Sequence, residues 1–280
     1  MPPVFFGPSA RPLYGVFESP GTRASKTGVL LLYPGVHEYV RAHWAFRSLA
    51  SELAARGFPV LRFDYHGVGD SAGEPEATTF EACVDDACIA AGELREVAAV
   101  GDVVLIGMRL GAAVALRAGE KLPFVRRVLL WNPIVDGRAY IDELEHMDRA
   151  MRLRLLHPLR HPADELAGYR FPAEVRRSIE RVDLRETGAV GPRRMEIFAE
   201  SISPGRCASC ELKGAIRTAP PSLEALPPEC ALCEALGRRG HRVLTHAIGD
   251  SGGPPAFPDA ALLAQSAICT LVEQIAEAEP

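Results

Sequence analysis

Val103-Val104-Leu105-Ile106-Gly107-Met108-Arg109-Leu110-Gly111-Ala112-Ala113 is the stretch whose reading decides the fold. Its first four residues are apolar and mostly β-branched, which reads as a buried strand. The run Ala112-Ala113-Val114-Ala115-Leu116 is small-sided, as suits a helix packed closely on a sheet. Between them lies Gly-x-Arg-x-Gly. Two glycines at this spacing let the backbone turn tightly from strand to helix and expose the central side chain. A guanidinium at that apex cannot attack a carbonyl, but it can grip an anion through paired hydrogen bonds.

Outward from this turn, strand and helix signals alternate. Phe5-Phe6 and residues 13–17 read as an antiparallel edge hairpin, and 28–33 is a continuous apolar run suited to a central strand. Helical periodicity over 45–56 stops at Gly57, and a strand over 58–64 follows. Then come a helix at 80–97, the strand of the quoted stretch, and strands at 127–131 and 195–199. A helix at 229–238, a strand at 242–248 and a helix from about 259 to 276 close the chain. The alternation predicts an α/β fold with a doubly wound, mostly parallel sheet. Residues 138–191 break the rhythm with Arg-, Asp- and Glu-rich helical patterns interrupted at Pro158, Pro162 and Pro172. They are expected to form a helical lid on a core of residues 1–137 and 192–280, with a cysteine-rich loop at 200–233 inside that core.

A chain of 280 residues with 48% hydrophobic content has ample material for one core. Its net charge of −5 gives no reason to expect nucleic acid or an anionic membrane as partner. The start, Met1-Pro2-Pro3-Val4-Phe5-Phe6-Gly7, shows no signal-peptide pattern, and no apolar run approaches the roughly 20 residues of a membrane span. A cytoplasmic protein is expected, with its seven cysteines reduced or bound to metal.

With Ser in place of Arg109, the quoted stretch would be the nucleophile elbow of an α/β-hydrolase. Asp64-Tyr65-His66-Gly67-Val68-Gly69-Asp70-Ser71 is the D-x-x-G-x-G-x-S turn typical of that superfamily. Together with the strand order and lid placement, these residues resemble the serine aminopeptidase-like branch of the α/β-hydrolases. A closer likeness is to hydrolase-like proteins associated with exosortase systems, some of which carry Gly-x-Arg-Leu-Gly at the elbow. The segment Glu165-Leu166-Ala167-Gly168-Tyr169 also looks like theirs. The resemblance implies an oxyanion-loop position at Pro34-Gly35-Val36-His37-Glu38 and a catalytic histidine after the last strand. That last loop reads Gly249-Asp250-Ser251-Gly252-Gly253-Pro254-Pro255, without histidine. The triad acid would be Glu200 or Asp136. With nucleophile and base both missing, the serine relay has no means of working. Gly249 through Pro254 also spells the active-serine signature of chymotrypsin-like proteases, but it follows a strand of a doubly wound sheet rather than sitting in an all-β barrel.

Several roles remain open at this point. An atypical or catalytically inactive member, a pseudoenzyme, would bind a small anionic or acyl-type ligand, or a partner protein, through Arg109, Gly35, Val36, His37 and Met108. Alternatively, Arg109 is neutralised internally by Glu38, Asp136 or Glu200. A third reading is an active hydrolase or lyase using His37, Glu38 or Ser251. Separately, Cys207-x-x-Cys210 and Cys230-x-x-Cys233 are parted by nineteen residues, the pattern of a four-thiolate structural zinc site holding one ion. Reduced thiols or a redox dithiol are the alternatives. His66 is expected to be structural, and His157, His161, His241 and His246 carry no usable metal spacing.

Overall fold

The computed structural model describes residues 3–21, 24–154, 164–186, 194–199, 211–212, 228–248 and 265–277. Strands β1 (Pro3–Phe6) and β2 (Leu13–Glu18) form the expected hairpin. They are followed by β3 (Thr27–Leu32), α1 (Val36–Ala55), β4 (Val60–Phe63), α2 (Phe80–Val97), β5 (Asp102–Met108), α3 (Leu110–Lys121) and β6 (Val125–Trp131). The segment after β6 adds α4 (Gly137–Arg154), the small hairpin β7 (Glu165–Leu166) and β8 (Tyr169–Arg170), and α5 (Ala173–Glu180). The sheet resumes with β9 (Arg194–Ala199), β10 (Glu211–Leu212), α6 (Pro228–Arg238), β11 (Arg242–Ala247) and α7 (Gln265–Ala276).

The main sheet runs β1-β2-β4-β3-β5-β6-β9-β11-β10. Only the β1-β2 and β2-β4 pairings are antiparallel; the rest are parallel. The order steps one way from β3 to β4 and the other way from β3 through β5 to β6. Right-handed crossovers therefore place α1 on one face and α2 and α3 on the other. Contacts agree, with α1 against α7 and α2 against α3. Central strands are buried on both faces, which is why Val29–Leu32 and Val103–Ile106 read as unbroken apolar runs. The two-residue β10, within the cysteine-rich stretch, gave no strand signal in the sequence.

One expectation is corrected. Helix α1 begins at Val36, nine residues before the periodicity indicates, so His37 and Glu38 stand on its first turn and not in a loop. The early turns invert the amphipathic pattern. They expose Val40 (60%) and Trp44 (56%) while burying His37. The apolar stripe becomes readable only at Ala42, Ala45, Phe46 and Leu49.

The turn at Asp64 shows why its glycines are needed. Gly67 and Gly69 have φ of +80° and +58°, and a Cβ on Gly69 would lie 2.2 Å from Asp64 Oδ2. That carboxylate accepts the Asp70 amide at 3.0 Å and the Tyr39 hydroxyl at 2.7 Å, fixing the loop beside the start of α1.

Candidate functional site

The β5–α3 turn is built by steric exclusion. A Cβ on Gly107 would lie 2.1 Å from the Gly111 carbonyl oxygen, and one on Gly111 would lie 2.3 Å from the Tyr33 carbonyl oxygen. Only glycine fits at either position. Arg109 between them adopts φ 54° and ψ −117°, a conformation that costs a non-glycine residue energy and persists because its surroundings impose it. Its amide donates to the Trp131 carbonyl at 2.9 Å, and its own carbonyl accepts the Ala112 amide at 3.1 Å. The elbow thus has the strained backbone that projects a side chain from the C-terminal edge of the sheet.

The Arg109 side chain is 24% exposed and meets two carboxylates. Its Nε donates to Glu38 Oε1 at 2.9 Å, and its Nη2 reaches both oxygens of Glu143 at 3.1 Å. Glu38 Oε2 accepts the Tyr140 hydroxyl at 3.2 Å, and the guanidinium lies 5.5 Å from the Tyr140 ring centroid. Burial opposes the charge on Arg109, but the two carboxylates more than offset it and its pKa is raised. His37 is the buried neighbour of this cluster, with Nε2 3.9 Å from Glu38 Oε1. Burial pushes its pKa down against the pull of Glu38, and Arg109 adds to the lowering, so the ring is neutral at pH 7. Tyr140 and Tyr169 wall the ring, at 5.9 and 6.5 Å between centroids.

Beside the elbow lies a narrow cavity of about 30 Å³, lined by Gly35, Leu110, Phe80, Phe171, Val175 and other mostly apolar side chains. Gly35 bridges the two environments, since it lines the cavity and abuts Tyr140.

Glu38 meets Arg109, as one sequence reading allows. Asp136 does not, and this is a correction. Its Oδ1 accepts the Ala139 amide at 3.1 Å in the first turn of α4, and its Oδ2 pairs with Arg185 at 2.8 Å. A carboxylate just ahead of a helix is taken by that helix's open amides. Met108 is buried at the end of β5, in register with Trp131. Val36 opens α1. Glu200, Ser251, Cys207 and Cys210 lie outside the described residues. Cys230 and Cys233 are buried one turn apart on α6. No group of three or more His, Cys, Asp or Glu side chains among the described residues is placed to hold a metal ion.

Sequence reasoning missed Tyr140 and Glu143. They sit three residues apart on α4, a spacing that places both on one helix face. It also missed a buried ionic cluster under α7. Glu196 on β9 is fully buried; it pairs with Arg127 and, at 2.8 Å, with Arg194, and meets His246 Nε2 at 3.1 Å. Arg127 also donates to the Gln274 carbonyl of α7 at 2.8 Å. The parity of Arg194, Glu196 and Phe198 along β9 carried the only signal for it.

The sheet order, the strained elbow and the inserted segment after β6 together define the α/β-hydrolase fold. Residues 24–187 match the family described as serine aminopeptidase, S33, and the chain belongs to that family. No curated protein matches the sequence. Among solved structures, the chain is similar to an esterase of Pyrococcus furiosus (TM-score 0.62, 14% identity, 99% of this chain and 88% of that one). It is also similar to Est1E of Butyrivibrio proteoclasticus with ferulic acid bound (TM-score 0.59, 15% identity, 98% and 99%). A third is XC6422 of Xanthomonas campestris, an α/β serine hydrolase without a lid (TM-score 0.57, 14% identity, 99% and 92%). At these identities the likeness is one of fold. No helix among the described residues is long and apolar enough to cross a membrane.

Proposed function

We propose that this chain is an atypical, catalytically inactive member of its family that binds a small anionic or acyl-type ligand at the elbow and performs no serine-triad hydrolysis. The observation that carries this reading is Arg109 itself. The strained backbone of a nucleophile elbow here presents a cation, and the next two residues of the same turn, Leu110 and Gly111, line an apolar cavity. A fixed guanidinium beside apolar walls suits a carboxylate with a hydrophobic tail. Est1E, with a carboxylic acid bound, supports the same ligand class on this fold. Glu38 and Glu143 satisfy the charge, so a ligand must compete with a protein carboxylate. Thermal shift with millimolar short-chain carboxylates tests the reading. The melting temperature should rise in the native protein and stay flat in Arg109→Met. A rise that survives loss of the arginine would overturn it.

The reading includes one structural zinc on Cys207, Cys210, Cys230 and Cys233. It is supported by the spacing of the two pairs and by the burial of Cys230 and Cys233 on one turn of α6. Four thiolates close a tetrahedral shell and leave no open position for chemistry.

A further inference from the structure

The two carboxylates on Arg109 are not equivalent. Glu38 is 16% exposed, and each of its oxygens has a donor, Arg109 on one and Tyr140 on the other. Glu143 is 63% exposed and meets Arg109 from outside through Nη2. An exposed ion pair adds little to stability, so exchanging Glu143 for another carboxylate costs little.

A second group points to what would arrive. His37 is 9% exposed, and its Nδ1 has no hydrogen-bond partner among the described residues. Buried polar atoms are rarely left so, because an unmade hydrogen bond costs stability. The Glu38 carboxylate, 3.9 Å from Nε2, attracts the single proton of the neutral ring to that nitrogen and so favours Nδ1 as the acceptor. Nδ1 looks toward Gly35, where an added Cβ would lie 3.9 Å from it and 2.8 Å from the Tyr140 hydroxyl. Gly35 in turn lines the apolar cavity. The Tyr140 hydroxyl, the unused His37 acceptor and the apolar slot therefore meet at Gly35, and Glu38 Oε1, 2.9 Å from Arg109 Nε and 3.9 Å from His37 Nε2, joins them to the cation.

We propose that the elbow binds short hydroxycarboxylates. The ligand's carboxylate replaces Glu143 on Arg109 Nη2, its hydroxyl donates to His37 Nδ1, and its alkyl tail enters the cavity beneath Phe171 and Val175. This rests on the reading of the elbow as an anion site. The cavity of about 30 Å³ equals about two water-sized positions, room for roughly three carbons and not for a long chain.

Calorimetric titration of the full chain with butyrate, 3-hydroxybutyrate and decanoate tests the proposal. The hydroxy acid should bind about fivefold or more tighter than butyrate, the worth of one hydrogen bond, and decanoate should not bind. Glu143→Gln should tighten both short acids about threefold or more by removing the competing charge. His37→Phe should erase the difference between them, and Arg109→Met should abolish binding. Thermal melts establish that each variant is folded; if Arg109→Met is not, Arg109→Lys, which keeps the charge without the fork, should weaken both acids. Binding that needs Arg109 but is indifferent to Glu143→Gln and His37→Phe would overturn this placement and leave the anion site standing. No binding to either the native protein or Glu143→Gln would overturn both.

Discussion

Replacing Arg109 with alanine removes the cation of the elbow and keeps its backbone. Breaking a wholly buried ion pair costs about 3–5 kcal/mol, because a carboxylate is stranded without water or partner. Glu38, at 16% exposure, is stranded less completely. It keeps the Tyr140 hydroxyl at 3.2 Å and its place in the first turn of α1, where a helix N-terminus favours an anion by about 0.3–1 kcal/mol. Glu143 returns to solvent and adds little. The net loss should be about 2–3 kcal/mol. Arg109→Gly loses the same contacts but relaxes a backbone at φ 54° and ψ −117°. Such strain is worth about 1–3 kcal/mol, against about 0.5–1 kcal/mol of extra chain entropy for glycine, so this variant should exceed Arg109→Ala by about 1 kcal/mol. Urea unfolding at pH 7, with equal m-values, measures both differences. A stability unchanged in Arg109→Ala would refute the internal pair, and a glycine variant weaker than the alanine one would refute the strain.

The buried Glu196 predicts acid sensitivity. Burial pushes its carboxyl up, but hydrogen bonds from His246 and Arg127 and the charges of Arg127 and Arg194 outweigh that and hold it at about 2, against 4.5 ordinarily. A folded value below the unfolded one gives stability that is present above about pH 4.5 and is lost as pH falls toward 2. Glu196→Gln should cost about 3–5 kcal/mol at pH 7 and flatten the decline of the urea midpoint below pH 4.5; parallel declines would contradict the assignment. Gly111→Ala places a Cβ 2.3 Å from the Tyr33 carbonyl oxygen and should destabilise by about 3 kcal/mol or more, read by urea unfolding; a near-native midpoint would mean the turn can shift. Elemental analysis of protein purified without added metal should find one zinc per chain, reduced in Cys230→Ser; no zinc, or a ratio unchanged in the variant, removes the site.

The sequence announced the sheet because buried parallel strands leave unbroken apolar runs, and it announced the elbow because two glycines there meet backbone that no Cβ can share. The start of α1 was hidden, since its first turns bury His37 and expose Val40 and Trp44, reversing the pattern that periodicity detects. Arg109 was legible as a cation in need of an anion, and Glu38 as a nearby candidate. Which carboxylates reach it was not legible. Glu143 approaches from α4, 34 residues further along the chain, while Asp136 is taken by the first turn of that same helix. Such choices are settled by helix placement, which spacing along the chain does not encode. Glu196 and His246 lie 50 residues apart and meet only through parallel registry of β9 and β11.

The claim that this elbow grips an anion and does not attack a carbonyl is tested most directly by the hydrolysis rate of p-nitrophenyl butyrate. The native protein should give no rate above buffer, and Arg109→Ser should give none either, since the loop 249–255 after the last strand, where the family's catalytic base is expected, carries no histidine. A native rate that disappears in Ser251→Ala, or a rate created by Arg109→Ser, would contradict the account.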